Sequence, residues 1–499
     1  MSLKTLLAEP YAQWVTKAVM RRALDPAKTQ RAVLNRLLSA GGRTSFGRDH
    51  ALKEVRDHQG LIQAVPLRDY EGLRPYIERV IAGEADVLWP GRPLYLCKTS
   101  GTTSGAKYIP ITRESLPNHI DSARRALLAY IARTGKTDFV DGKMIFLQGS
   151  PELDRKGAIP SGRLSGIVAD HVPRYLLKNR LPSRATNTIA DWEAKVEAIV
   201  TETMDQDLRL ISGIPAWVQM YFERLLARTG KATVQEVFPN FSLFVHGGVN
   251  YAPYRDRMEA LIGGPVPSIE LFPASEGFIA YQDQGPNEGL LLVLDNGIYF
   301  GFQPMGGSDD RVLSIEEVRL GVQYALVLYT NAGLWGYRIG DTVKFVSLSP
   351  PRILVTGRTK HFTSAFGEHV IAEEVEGALA EAVALHPCEV AEFTVAPQLA
   401  PPENGLPYHE WYIEFARPPA DRSGLAAAID AALQRRNPYY KDLITGKVLR
   451  PLVVRSLPRG AFAQWMKARG MNDAQSKVPR LANDRKYVEG LDPVTGPRS

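Results

Sequence analysis

The 499-residue chain is 44% hydrophobic, enough to bury a large core and to build roughly two to four domains. Its two cysteines, Cys97 and Cys388, are too few for a disulfide framework and lack metal-ligand spacing to another Cys or His, which argues against a disulfide-stapled secreted fold and a structural zinc site. No run approaches the ~18 uninterrupted apolar residues of a transmembrane helix, and residues 1–22 lack the apolar centre and cleavage site of a signal peptide, so a cytoplasmic protein with no membrane partner is expected.

The net charge of +6 is unevenly spread, because residues 441–499 hold 12 Lys/Arg against 5 Asp/Glu. Nucleic-acid binding would interleave such cations with stacking aromatics, which this tail hardly does, so no nucleic-acid partner is expected. A solvated basic surface and a C-terminal lid that carries cations to a polyphosphate both account for the asymmetry.

Residues 1–95 read as helical, with apolar spacing of three and four over 12–24 and 29–38, and Pro66 and Pro75 are expected to break the pattern. Next comes Lys98-Thr99-Ser100-Gly101-Thr102-Thr103-Ser104-Gly105-Ala106-Lys107. Glycines let backbone N–H groups approach an anion, hydroxyls add donors, and the bracketing lysines neutralise charge, so this stretch has the composition of a phosphate cradle. It is not a Walker A loop: three residues separate Gly101 from Gly105, and Ala106 intervenes before Lys107.

Residues 114–134 have helical periodicity, 143–149 form a short apolar strand, and a loop-rich stretch surrounds Pro160, Gly162 and Gly166. Helices are expected over 191–204 and 215–228, the second opening with Ile214-Pro215-Ala216-Trp217-Val218. The buried-strand run 241–245 opens into His246-Gly247-Gly248, and strand ends followed by glycines are where open α/β sheets place ligands. His246 is there either a core histidine or a substrate contact, and Trp217 either core or pocket wall. Strand 268–272 leads into Pro273-Ala274-Ser275-Glu276-Gly277. Runs at 291–294, 298–302 and 324–329 point to a second sheet leading to Tyr337-Arg338-Ile339-Gly340-Asp341. Beyond Thr356-Gly357-Arg358-Thr359-Lys360 the pattern is α+β: helices over 372–383 and 424–435, strands over 389–395, 411–415 and 447–454, and a surface turn over 397–407. Ser476-Lys477-Val478-Pro479-Arg480 lies in the basic tail.

These stretches in this order resemble acyl-adenylating enzymes, and the Tyr108-Ile109-Pro110 and Lys477-to-Arg480 elements resemble the GH3 family of acyl-acid amido synthetases in its bacterial form, over residues 43–485. The resemblance implies an α/β fold with a large N-terminal ATP- and acyl-acid-binding domain, 1–357, of sheets and helices, and a smaller mobile α+β lid, 358–499. It implies ATP and Mg²⁺ as cofactors, with Ser100, Gly101, Thr102, Thr103 and Lys107 around the phosphates and Phe272, Ala274 and Ser275 beside the nucleotide. Glu276 would hold Mg²⁺ and take part in catalysis, Asp341 the ribose hydroxyls, and Arg358 the hinge side of the nucleotide. Lys477 would reach the α-phosphate, and His246, Gly247 and Trp217 would line the substrate pocket. Phe272 stands where the family often has Tyr, so any hydroxyl contact there is missing.

The activity implied is adenylation of a carboxylic acid followed by transfer of the acyl group to an amine such as an amino acid. Alternatives are an acyl-CoA ligase, against which the two GH3-like elements speak, a kinase or ATPase, and a binding protein with a degenerate site. The acid, the amine and the oligomeric state are not legible in one sequence.

Overall fold

The computed structural model describes residues 3–491 apart from 103–104, 150, 170, 172–177, 190–191, 250, 306–310, 359–361, 364, 369, 403–404, 469–479 and 486. The chain divides into two compact units. The larger comprises Met1–Thr99, Ala106–Ala190 and Ala194–Thr359, and the smaller Ser100–Gly105, Asp191–Glu193 and Lys360–Ser499.

The amino-terminal helices of the larger unit are Leu3–Ala23, Pro26–Gly41, Ser45–Asp49, His58–Ala64 and Tyr70–Ile81. Side chains start most of them: Asp25, Thr44, Asp57 and Asp69 each accept a hydrogen bond from a first-turn N–H. Pro66 lies between helices as expected, whereas Pro75 lies inside Tyr70–Ile81 and does not end it. Buried Leu73, Ile77 and Val80 recur on one face there, and their packing together with the Asp69 cap outweighs the missing N–H.

The strands that lie wholly or mostly in this unit are, in chain order, β1 (Tyr95–Thr102), β2 (Gly105–Ile111), β3 (Lys143–Phe146), β4 (Asp154–Lys156), β5 (Ile159–Gly162), β6 (Arg180–Leu181), β7 (Leu208–Ser212) and β8 (Leu243–Gly247). They continue with β9 (Ser268–Ala274), β10 (Gly277–Tyr281), β11 (Leu290–Leu292), β12 (Ile298–Pro304), β13 (Gln323–Thr330), β14 (Tyr337–Leu348) and β15 (Pro351–Arg358). β2-β1-β5-β4 form a small sheet. Pro160 sits in β5 opposite Arg155, so the stretch expected as loop is partly sheet.

The second sheet expected from 291–329 is instead continuous with the first, in an eleven-stranded order β12-β13-β14-β15-β11-β10-β9-β8-β7-β3-β6. The change of hand occurs at β9, which runs parallel to β8 and antiparallel to β10. Alternation along β9 sends Ile269 and Leu271 into a core with the helices Leu3–Ala23 and Leu116–Thr134. The opposite face sends Phe272 and Ala274 toward the core built from the other amino-terminal helices and β12–β14.

The smaller unit holds a three-stranded sheet of β18 (Glu389–Gln398), β19 (Tyr408–Arg417) and β20 (Val453–Leu457), with β19 central. It follows the short pair β16 (Phe362–Thr363) and β17 (Val370–Ile371), and helices Ala372–Leu385 and Arg422–Arg436 pack on each other. The strand expected over 447–454 begins only at Val453. Upstream, the Val448 and Leu449 N–H groups bond Leu443 O, Arg450 N bonds Pro407 O, and the Leu452 N–H donates to Asp430, so those groups are unavailable to a ladder.

The β8–β9 pairing tolerates no side chain at Gly247, where a Cβ would stand 2.3 Å from the Leu271 carbonyl oxygen. Because the clash is with backbone, Gly247→Ala is expected to cost about 2 kcal/mol or more and to lower the melting temperature by several degrees. A calorimetric scan matching wild type would refute this.

Candidate active site

The parallel strands β3, β7, β8 and β9 end side by side, and each is followed by a tight segment. Leu147 N bonds Ser212 O after β3, and Gly213 N bonds Val245 O after β7. His246 pairs in register with Glu270, and Gly247 with Leu271. Carboxyl ends of parallel strands followed by glycines form the crevice in which open α/β sheets bind ligands.

At the end of β9 the chain reverses through Ser275 and Glu276 into β10, with Ala274 and Gly277 paired across the turn. Gly277 holds φ at +157°, a backbone conformation that side-chain-bearing residues rarely adopt, and a Cβ there would also displace Ile298 Cδ1, 2.5 Å away. Glu276 is buried, and a carboxylate at a turn tip is a hard oxygen donor of the kind Mg²⁺ takes together with phosphate oxygens. Among the described residues no group of three or more His, Cys, Asp or Glu could hold a metal ion by itself. A single carboxylate completed by a bound polyphosphate remains compatible with that donor set.

The Cys97 thiol donates to Ser275 Oγ at 3.2 Å, tying β1, which leads into the phosphate-type loop, to the Ser275–Glu276 turn. Burial pushes this thiol up to about 12, and the Glu276 charge adds to the rise, so it stays neutral and unreactive. Of the loop itself, Ser100, Gly101 and Thr102 end β1 and their side chains lie outside the described set, as does Thr103 entirely. Lys107 lies on β2, and the next residue is fixed by Tyr108 N donating to the Tyr70 hydroxyl at 3.0 Å.

His246 is buried against Tyr251 and Phe244, with ring centroids 4.5 Å and 5.1 Å away, and its Nδ1 has no hydrogen-bond partner among the described residues. Burial, assisted by Arg255, lowers its pKa to about 3, so the imidazole is neutral. Trp217 is buried in the first turn of helix Pro215–Thr229, which starts just beyond β7. Glu270, opposite His246, is pushed up by burial. Lys195 is buried with Nζ donating to Asn187 O at 2.8 Å and to Gln148 O at 3.4 Å, beyond the end of β3. Burial and the Arg163 charge lower its pKa to about 8.

Asp341 is buried on β14 in register with Arg358 of β15, whose side chain lies outside the described set. Next to it Thr342 faces Gly357, and Gln323 Nε2 donates to Thr342 and Thr356 hydroxyls at 3.2 and 3.0 Å. Phe272 is half-buried on β9.

Lys477 lies outside the described residues, but Arg480, three positions on, is held firmly within the smaller unit. Its guanidinium pairs with Glu376 at 3.1 Å and with Glu392, donates to Phe393 O at 3.1 Å and lies over the Phe393 ring. Val395 N–H bonds Arg480 O, and Ala482 N–H bonds Val395 O, so the segment runs along β18. Arg485 pairs with Glu410 at 2.9 Å, as does Arg455 at 2.6 Å. Burial alone would raise the Glu410 carboxyl, and those two guanidiniums with the Tyr412 hydroxyl hold it below its ordinary value.

The sequence reading missed Cys97, Glu270, Lys195 and the anchoring role of Arg480. Only Cys97 carried a local signal, being adjacent to Lys98 at the start of the loop.

Comparison with known proteins covers nearly the whole chain. The family model described as the GH3 family N-terminal domain matches residues 17–183 and 164–267. The GH3 family central domain matches 291–358 and the GH3 family C-terminal domain 373–486. The probable indole-3-acetic acid-amido synthetase GH3.1 of Arabidopsis thaliana is 22% identical over 93% of this chain and 90% of its own length. The jasmonoyl-L-amino acid synthetase JAR4 of Nicotiana attenuata is also 22% identical, over 64% of this chain and 67% of its own. Among solved structures, the AtGH3.15 acyl acid amido synthetase in complex with 2,4-DB superposes with a TM-score of 0.62 at 17% identity, covering 97% of this chain and 96% of that one, a likeness of fold.

Two buried neutral histidines set a pH dependence. His119, on helix Leu116–Thr134, is lowered to about 4 by burial, and His246 to about 3. Both native values lie below the unfolded value of about 6.5, so below that pH the unfolded chain binds the extra protons and stability falls. Each histidine should contribute up to about 1.4 kcal/mol per pH unit. Urea unfolding between pH 7 and 5 should show a shallower pH slope for His119→Gln and for His246→Gln, and an unchanged slope would place the proton uptake elsewhere.

Proposed function

The chain belongs to the GH3 family, and from that membership we propose that it is an ATP-dependent acyl-acid amido synthetase. In the first half-reaction a carboxylate oxygen attacks the α-phosphorus of ATP, the bond to the β-phosphate bridge breaks, and pyrophosphate leaves. In the second an amine nitrogen attacks the acyl carbonyl, AMP leaves with the electron pair of the acyl–oxygen bond, and the amine loses a proton. Free carboxylate is a poor acyl donor because its leaving group would be oxide, and activation as a mixed anhydride removes that obstacle. No protein nucleophile is required. The curated relatives are named for joining indole-3-acetic acid or jasmonate to amino groups, which supports a small carboxylic acid and an amino acid as the substrate classes here.

The observation that carries this reading is the buried Glu276 at the turn between β9 and β10, bound through Ser275 and Cys97 to the strand that enters the hydroxyl-rich loop. In our reading Ser100, Gly101, Thr102, Thr103 and Lys107 take the phosphates, and Phe272, Ala274 and Ser275 take the base. Asp341 accepts from the ribose hydroxyls, with Arg358 beside it at the end of β15. A vicinal diol suits a carboxylate because two oxygens meet two hydroxyls. Glu276 would hold Mg²⁺, which supplies charge neutralisation on the polyphosphate. His246, Gly247 and Trp217 line the acid pocket, and the neutral imidazole adds no charge that would compete for the carboxylate. Residues 358–499 act as a mobile lid, and Lys477 stabilises charge at the α-phosphate.

Glu276→Gln is nearly isosteric and removes only charge, so it should abolish most acid-dependent pyrophosphate release from ATP while leaving the melting curve unchanged. Release within twofold of wild type at limiting Mg²⁺ would reject the assignment. A panel of carboxylic acids read by pyrophosphate release, followed by mass spectrometry with added amines, tests the overall reaction: ADP as product would indicate phosphoryl transfer, and a thioester a CoA ligase.

Asp341→Asn should weaken ATP binding by ~1.5–3 kcal/mol, the range for hydrogen bonds to a charged group. Lys477→Ala should slow adenylation more than capture of preformed acyl-adenylate by amine in single-turnover measurements. Equal losses in both half-reactions would remove the α-phosphate role.

A further inference from the structure

The first helix, Leu3–Ala23, is apolar on two faces. Its inner face is mostly small: Ala8, Ala12, Val15, Val19 and Ala23, with Met20 the one large residue, pack into the core shared with helix Leu116–Thr134. Its outer face is large. Leu6, Leu7, Tyr11 and Trp14 are 59%, 58%, 44% and 69% exposed, and Leu7, Tyr11 and Trp14 follow the i, i+4, i+7 spacing of one helical stripe. Tyr11 and Trp14 lie with ring centroids 6.2 Å apart. Large apolar groups turned outward while alanines turn inward reverse the usual burial order, and the reversal is fixed. Thr5 donates to Asp141 at 2.5 Å near one end, and Arg22 pairs with Asp295 at 2.6 Å near the other, so the helix cannot roll its large side chains inward without losing both bonds.

The helix carries a surplus of cations beside this stripe. Lys4, Lys17 and Arg21 are exposed, and none is paired with a carboxylate among the described residues. The helix has a single acidic residue, Glu9, which accepts a hydrogen bond from Gln13. A second copy of this chain seated on the stripe would bring these cations against each other, with Glu9 the one carboxylate that each helix itself supplies.

We propose that this face lies on an anionic lipid bilayer. Leucines would enter the boundary of the acyl chains, the Tyr11 and Trp14 rings would sit at headgroup level with an apolar body and a polar edge, and the lysines and arginine would meet lipid phosphates. No described helix is long and apolar enough to cross a membrane, and a helix lying in the interface needs no such length. The lack of a membrane partner expected from the sequence rested on the absence of a crossing segment and of a signal peptide, and neither bears on a helix lying in the interface.

The test uses the full chain in co-sedimentation with vesicles of phosphatidylcholine alone and of equimolar phosphatidylcholine and phosphatidylglycerol. Binding is expected to the phosphatidylglycerol vesicles, weaker to phosphatidylcholine, and reversed by salt. The double variant Leu7→Ala, Trp14→Ala should partition about tenfold less or weaker still, and Lys17→Gln, Arg21→Gln should lose the preference for the anionic lipid. All four positions are exposed, so circular dichroism and acid-dependent pyrophosphate release should match wild type for both variants. Failure to sediment with phosphatidylglycerol vesicles overturns the proposal. Sedimentation that ignores the Leu7 and Trp14 substitutions also overturns it, by assigning attraction to the basic residues 441–499. A wild-type dimer in light scattering that the Leu7 and Trp14 substitutions convert to monomer would give the face to a second copy instead.

Discussion

Everything in the larger unit depends on how β9 is paired. One edge of that strand continues a parallel array whose carboxyl ends form a crevice, and the other edge turns back on itself to start an antiparallel array. The reversal must be made at the rim of the crevice, and the two residues that make it are Ser275 and Glu276. Parallel strands need long crossovers whereas an antiparallel pair needs only a short turn, so a carboxylate can stand at the rim on two residues of chain. Gly277 permits the close packing under Ile298, and the Cys97 thiol holds Ser275 from β1. Sheet topology, the short turn and the Cys97–Ser275 bond thus all bear on where Glu276 stands.

Burial holds several titratable groups around the same crevice in their uncharged forms. His246 is neutral because burial removes water from its imidazolium, and Cys97 is neutral because burial raises its thiol. Glu270 is pushed the same way, toward its protonated form. In such a dry environment each formal charge that remains acts over a longer range than in water, which favours chemistry that works by positioning and charge compensation. Lys195 is shifted in the same sense, its pKa lowered to about 8 by burial and the Arg163 charge, while Nζ donates to the Asn187 and Gln148 carbonyls.

Much of this was legible in the sequence because it is local. Strand runs ending in glycine announced β8, and the apolar periods of residues 12–24 and 215–228 announced helices that the structure contains in Leu3–Ala23 and Pro215–Thr229. The junction of the two halves of the sheet was not legible, because whether 291–329 pairs with β10 is decided by β11 meeting β15 some sixty residues later. Nor could the late start of β20 be read, because the competing acceptors at Leu443, Pro407 and Asp430 come from other elements. Pro75 misled for a similar reason: a local penalty was outweighed by the burial of Leu73, Ile77 and Val80. In the site, motif residues stand out by type, but Cys97 matters through Ser275, almost two hundred positions away, and pairs of that kind leave no trace in one sequence.

The basic tail shows how a charge count can mislead even when it is correct. Residues 441–499 carry an excess of cations, yet Arg455 and Arg485 both close on Glu410, and Arg480 closes on Glu376 and Glu392. Those carboxylates come from Ala372–Leu385, β18 and β19, earlier in the same unit, so part of the excess is compensated at once on folding. Two cations around one carboxylate with 3% side-chain exposure form a network, and its cost of desolvation is offset only because every oxygen is bonded, including one to Tyr412. The stretch from Arg480 to Arg485 is thus fastened along β18 by side chains whose charge looked available for a ligand. Formal charge summed along a chain says how many cations a segment has, and only the fold says how many of them already have a carboxylate.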